Sequence, residues 1–237
     1  MSQLKKALTS SLGQKFLMSL SGVGLVVFLV IHLIGNSLLY KQSGETFNMY
    51  AHTLESYTAF VTVAEIGLLG VFLLHILTGI WASRENQVAR PKGYKVWRSK
   101  AVTRELNPSN RSSRTMIISG LFVLIFLVIH VYQFRIVPGS SGYTAQINGT
   151  EVMDLHRIAL EVFRQPLFVA LYVIAMIFIG THLRHGFWSA FQSAGLMTPK
   201  LSRPLHLVSL LLAMVLSLGF LFIPVFIYFG WSGGTPQ

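Results

Sequence analysis

"SGVGLVVFLVIH" (Ser21–His32) and "SGLFVLIFLVIH" (Ser119–His130) are two versions of one segment. Both open on Ser-Gly and close on "FLVIH", at the same offsets. Everything between is apolar. An apolar run of this kind signals a membrane span, and a histidine inside one is costly unless it has a partner. The repeat therefore bears on the fold and on the place of any chemistry.

The rest of the chain agrees. Of its 237 residues, 52% are hydrophobic and 11% charged, and mean hydropathy is +0.58; soluble domains carry about 25% charged residues. A bilayer helix needs roughly 20 apolar residues, and residues 16–40, 60–83, 115–134, 166–187 and 205–229 each supply such a stretch. The first outruns a secretory signal core and has no small-x-small cleavage site, so it reads as a membrane helix. The expected fold is an all-α integral membrane protein, a five-helix transmembrane bundle forming a single domain over residues 1–237.

Charge sets the expected orientation. The formal net charge is +11, and the cations cluster. The connection spanning residues 84–114 carries Arg84, Arg90, Lys92, Lys95, Arg98, Lys100, Arg104, Arg111 and Arg114 against Glu85 and Glu105. Lys5, Lys6 and Lys15 precede the first span, and Lys200 and Arg203 the fifth. By the positive-inside rule this side is cytoplasmic, with the N-terminus inside and the C-terminus outside. Such a chain gives no support to nucleic-acid binding; its basic face suits a docked soluble partner. The opposite loops, 41–59 and 135–165, hold apolar residues at helical spacing: Phe47, Tyr50, Ala51 and Leu54, then Val152, Leu155, Ala159, Val162 and Phe163. These read as short helices on the membrane surface.

There is no cysteine, which excludes disulfides, thiolate-held iron–sulfur clusters and thioether-attached haem within the chain. The spans hold His32, His75, His130 and His182, one in each of the first four. A second repeat, His-x-x-x-Gly-x-Trp, joins "HILTGIW" (His75–Trp81) to "HLRHGFW" (His182–Trp188). Spans one and three run outward and put His32 and His130 in the outer half. Spans two and four run inward and put His75 and His182 in the inner half. At ~1.5 Å per residue the two levels differ by roughly 10–20 Å.

Zinc favours four mixed ligands in one place. Two imidazoles on opposite helices instead suit a planar haem between them. Gly22 and Gly120, ten residues before their histidines, and Gly79 and Gly186, four after theirs, would let a flat macrocycle approach the backbone. The competing use of small residues is close helix packing. An iron held by two imidazoles has no open position and serves electron transfer. The expected cofactors are two haems b, stacked across the bilayer.

At these residues the chain resembles the di-haem, five-helix cytochrome b subunit of succinate:quinone oxidoreductases and quinol:fumarate reductases, the membrane anchor of respiratory complex II. The resemblance covers nearly the whole chain. It rests on "SLSGVGLVVFLVIHLIGN", "AEIGLLGVFLLHILTGIW", "FLVIHVYQFRI" and "HLRHGFWSAFQSAGLMTPKLSRP". It implies that His75 and His182 ligate a proximal haem and His32 and His130 a distal one. It also implies a flavoprotein partner with FAD, an iron–sulfur partner on the cytoplasmic face, and a membrane quinone, menaquinone, as electron acceptor. The location implied is a bacterial cytoplasmic (inner) membrane, with higher oligomers of the complex open. Some fumarate reductases of the family carry a glutamate two residues before the fourth ligand, where this chain has Gly180; the departure favours succinate oxidation.

Further residues are assigned by position. Arg135 is the outer candidate for a haem propionate, and Arg184, His185, Ser19 and Ser21 are inner candidates. Trp81 and Trp188 read as interface anchors that also line the proximal haem. Glu65, ten residues outward of His75, is a candidate for proton exchange with quinone; its alternative is a helix-end carboxylate in interfacial water. His52 and Glu55 are further quinone candidates. Two rival functions stay open: a di-haem anchor of another redox module, such as a formate dehydrogenase or hydrogenase, and a haem-free transporter whose histidines bind metal or relay protons.

Overall fold

The fold comes from a computed structural model. It describes residues 6–7, 9–41, 43–88 and 109–230, leaving aside the side chains of 86–87, 109–115 and 140–141. Lys5 and most of the basic 84–114 connection, on which the orientation rests, lie outside the described residues.

Helix α1 (Ser11–Asn36) ends in a tighter 3-10 turn at Ser37–Tyr40. Helix α2 (Glu45–Ser56) and the long α3 (Thr58–Val88) follow. Helix α4 (Ser109–Val131) runs into a π-helical turn at Tyr132–Ile136, closed by Val137 N donating to Tyr132 O at 2.9 Å. Strands β1 (Thr144–Ile147) and β2 (Thr150–Met153) form an antiparallel hairpin. Helices α5 (Leu155–Phe163), α6 (Pro166–Ser193) and α7 (Pro199–Tyr228) complete the chain. Five of these helices, α1, α3, α4, α6 and α7, are long and apolar enough to cross a membrane.

Local sequence explains the boundaries. Helices α6 and α7 open on Pro166 and Pro199, whose missing N–H costs nothing at a first turn. Thr198 caps α7, its hydroxyl accepting from Leu201 N at 3.3 Å. Gly195 ends α6 at φ +73°, where Leu196 N reaches back to Phe191 O at 3.0 Å, the left-handed stop that glycine favours.

The segment 135–165 corrects the expectation that Val152 shares a helix with Leu155. Asn148 and Gly149 take φ +53° and +80°, and an Asn-Gly pair with both φ positive is the tight turn that matches strand twist. Val152 consequently lies in β2, buried, and not on the helix with Leu155. Helix α5 begins only after Asp154, whose carboxylate accepts from Arg157 N at 3.0 Å. In α2 the deeply buried residue is Asn48, while Tyr50 and Leu54 of the expected apolar stripe remain exposed. Asn48 donates to Asp154 Oδ1 at 2.8 Å and accepts from His156 N at 2.9 Å, so one amide ties α2 to the start of α5.

The helices contribute to two compact units. One comprises Met1–Phe28, Ile66–Gly120 and Gly180–Ala213. Its buried side chains are mostly small or hydroxylic: Ser19, Ser21, Thr78, Ser119, Ser209, Ala190 and Ala213. Small and hydroxyl residues let membrane helices approach closely and bond across the gap; the Ser209 hydroxyl donates to Arg184 O, joining α7 to α6. The other unit comprises Leu29–Glu65, Leu121–Ile179 and Met214–Gln237. Its core is large and apolar, including Phe126, Phe163, Met176, Ile179, Leu216, Ile223 and Ile227. There Gly219 brings α7 so close to α1 that a Cβ on it would stand 2.7 Å from Leu33 Cδ2. Tyr40 Oη donates to Gly219 O at 3.2 Å in the same contact.

Candidate functional site

The four span histidines meet as two pairs, one in each unit. His75 on α3 faces His182 on α6, with ring centroids 6.3 Å apart and planes at 71°. His32 on α1 faces His130 on α4, with centroids 5.8 Å apart and planes at 88°. These are the pairs expected from the two repeats.

The His75–His182 pair is held by the start of the other repeat. Ser21 Oγ lies 3.3 Å from His75 Nδ1, with Met18 O also at 3.3 Å. Ser119 Oγ lies 3.1 Å from His182 Nδ1. Each hydroxyl donates to its own helix, Ser21 to Leu17 O at 2.8 Å and Ser119 to Met116 O at 3.0 Å. Its oxygen is thereby left to accept from an imidazole Nδ1–H. Both rings then present Nε2 as the lone-pair nitrogen.

The adjacent glycines make this approach possible. A Cβ on Gly22 would stand 3.3 Å from His75 Cε1, and one on Gly120 would stand 3.4 Å from His182 Cε1. Their nearest use is therefore to seat an imidazole from a neighbouring helix. Around Gly79 a Cβ would meet nothing within 4 Å, and around Gly186 only Met116 Cε at 3.9 Å.

The His32–His130 pair has different partners. His130 Nδ1 lies 3.1 Å from Tyr172 Oη, which donates to Gln133 Oε1 at 2.8 Å. Asn36 Nδ2 donates to His32 O at 2.8 Å and lies 3.4 Å from each ring nitrogen of His32. Phe220 packs on the His32 ring with centroids 5.6 Å apart.

The remaining expected residues divide. Glu65 and Arg135, assigned to separate tasks, form one forked ion pair, with Nε–Oε1 at 2.7 Å and Nη2–Oε2 at 3.2 Å. Glu55 lies near enough to act electrostatically on the same guanidinium. His52 stands on α2 and is partly exposed. Ser19 turns its hydroxyl to Lys15 O at 2.8 Å. The Arg184 side chain is exposed. His185 and Trp188 have ring centroids 6.3 Å apart, and Trp188 stacks on His206 at 4.5 Å. Trp81 is partly buried on α3. Sequence reasoning passed over Ser119, Tyr172, Gln133 and Asn36. Ser119 carried a signal, being the counterpart of Ser21 in the repeat. Tyr172 and Gln133 carried none, because their meeting depends on the π-helical turn.

The donor set can be tested against a shared metal. An imidazole nitrogen binds a metal at about 2.0–2.1 Å and its ring centre lies about 1 Å farther back, so two imidazoles on opposite sides of one ion stand about 6 Å apart. Both pairs match that spacing. Among the described residues no three His, Asp or Glu side chains converge on one point. A two-imidazole site thus calls for a group that brings its own equatorial ligands. Trp188 Nε1 is buried with no hydrogen-bond partner among the described residues, a donor suited to an anionic substituent such as a carboxylate. The residues fit haem.

No protein-family model matches the chain, and neither a curated protein nor a solved structure matches it.

Proposed function

We propose that this chain is the membrane anchor and electron-transfer subunit of a succinate dehydrogenase complex. In this reading it takes electrons from an iron–sulfur subunit and delivers them through two haems b to a membrane quinone, menaquinone by resemblance. The observation that carries the redox reading is the occurrence of two imidazole pairs, with ring centroids 5.8 and 6.3 Å apart, in a chain whose described residues include five helices long and apolar enough to cross a membrane. The succinate assignment rests on the resemblance of the four histidine-bearing segments to the complex II cytochromes b.

Haem bound between each pair would supply reversible one-electron chemistry. The chain's own part would be to supply two imidazoles at each site and to hold each of them in one tautomer. Ser21 and Ser119 do this for His75 and His182, the proposed proximal ligands. Trp188, six residues after His182 on the same helix, offers a buried indole N–H. Glu65 and Arg135 form a charged pair on the unit that holds His32 and His130, the proposed distal ligands. A carboxylate there is placed to exchange protons with a quinone, and the guanidinium fixes where that carboxylate sits. The succinate chemistry belongs to a flavoprotein partner with FAD, docked through the iron–sulfur subunit on the basic, cytoplasmic side of a bacterial inner membrane. Gly180, in the place of the glutamate of some fumarate reductases, favours the succinate-oxidising direction over its reverse.

The test is purification of the native complex. A reduced-minus-oxidised spectrum with two b-type haems per chain, co-purified FAD and succinate:quinone reductase activity supports the proposal. Haem without FAD would assign the chain to another redox module. A chain without b-type bands would end the haem reading and favour a transporter.

A further inference from the structure

The two histidine pairs differ in what stands behind them. Behind His75 and His182 are serine hydroxyls whose own protons go to helix carbonyls. Behind His130 is a two-step chain. Tyr172 Oη donates its proton to Gln133 Oε1 at 2.8 Å, so the phenol oxygen accepts from His130 Nδ1–H at 3.1 Å. Both relay residues are buried, Tyr172 at 5% and Gln133 at 7% exposure. The Tyr172 ring is fixed edge-on by Phe126 and Phe163, each with its centroid 4.9 Å away.

The relay depends on a local break in the helix. A regular α-helix gives each residue about 100° of turn; the i→i+5 turn at Tyr132–Ile136 underwinds it. Gln133, within that turn, is directed to the Tyr172 hydroxyl, and Arg135, also within it, pairs with Glu65. A π-turn of this kind weakens local hydrogen bonding and persists where the displaced side chains have a use.

We propose that Tyr172 and Gln133 are positioning residues that set the electron affinity of the metal group held by His130. The inference rests on the reading of His130 as an axial ligand. A phenol that donates onward is polarised into a stronger acceptor. Its pull on Nδ1–H makes the His130 ring more electron-rich and raises its strength as a ligand. An electron-rich ligand favours the oxidised metal. The His130 site is thereby held at a lower potential than the same imidazole pair would have without the relay.

The experiment compares the purified, haem-loaded full chain with Tyr172→Phe and Gln133→Leu. Tyr172→Phe removes one oxygen and keeps the ring between Phe126 and Phe163. The haem concerned is identified as the one lost in His130→Ala. Its midpoint potential is expected to rise in Tyr172→Phe, changing its reduced-to-oxidised ratio at a fixed potential by about three- to tenfold. Gln133→Leu should move it the same way by less. The other haem should stay where it is, with two haems bound throughout. Two bound haems with unmoved potentials in both variants would overturn the relay and leave the haem reading intact. Should the wild-type chain hold no haem, the same variants are compared by 15N spectra of labelled histidine in the unloaded chain. A wild-type Nδ1–H tautomer at His130, with an Nδ1 resonance displaced in Tyr172→Phe, supports the hydrogen bond; an unchanged resonance overturns it.

Discussion

Ser119 Oγ lies 3.1 Å from Nδ1 of His182, a residue on another helix and in the opposite repeat. Its counterpart Ser21 stands in the same relation to His75 at 3.3 Å. The Ser-Gly that opens each copy of the repeat therefore serves the histidine pair that the copy does not contain. Outer-shell partners of metal-bound histidines commonly control affinity as well as orientation.

Ser21→Ala and Ser119→Ala should each weaken haem binding at the His75–His182 pair by about tenfold. Ser19→Ala should leave it unchanged, because Ser19 bonds only its own helix. Haem content after dilution in detergent, read optically, checks the contrast; equal loss in all three would point to general destabilisation.

Removing one histidine should empty one site only. His75→Ala and His182→Ala should give the same single-haem spectrum, and His32→Ala and His130→Ala the other. A variant that loses both haems, or spectra that group differently, would contradict the pairing.

The crossed ring planes, at 71° and 88°, carry a spectroscopic consequence. Perpendicular imidazoles interact equally with two iron d-orbitals and leave them nearly degenerate. Ferric haem at both sites should therefore give strongly anisotropic low-spin EPR signals. Ordinary rhombic signals from both would show that the rings turn parallel on binding.

Much of this was written in the sequence. The spans, the four histidines and their pairing follow from apolar length and from two repeated segments. Two assignments did not follow. Glu65 was legible as a charge inside a span and Arg135 as one just past the end of another, but their joining as one ion pair was not, since the π-turn that aims Arg135 has no marker in "YQFRI". The β1–β2 hairpin had a marker, Asn148-Gly149, that was passed over for the helical apolar spacing that begins at Val152. Gly22 and Gly120 were recognised as places of close approach. What approaches them is an imidazole of the other pair, which no count along one helix reveals.

Glu65→Gln should impair quinone turnover while leaving both haem spectra intact. Arg135→Gln should do the same, because the carboxylate would lose the partner that holds it. The ion pair is partly exposed, so its own contribution to stability is about 0–1 kcal/mol, and thermal unfolding should barely move. Unchanged turnover in both variants would remove this pair from the quinone site.

Outside the spans, burial holds the His156 imidazole below its usual range, with Asp154 pulling partly the other way. Its Nε2 is buried with no hydrogen-bond partner among the described residues. The unfolded chain therefore binds a proton here more readily than the folded one. Stability contributed at His156 is full above about pH 6.5 and falls as the pH drops from there toward the lower folded value. Thermal melts of the solubilised chain should show that acid loss, and His156→Gln should reduce it. A Cβ on Gly44 would stand 2.7 Å from His156 Nδ1, so Gly44→Ala should cost about 1–3 kcal/mol through overpacking.

Neither histidine pair is local in sequence, and this bears on how the protein is made. His130 emerges from the ribosome with α4, so the His32–His130 pair can close while α6 and α7 are still unsynthesised. His75 must wait for His182 on α6. Until then His75 lacks its partner imidazole, and on the haem proposal the two sites would load in an order set by translation itself.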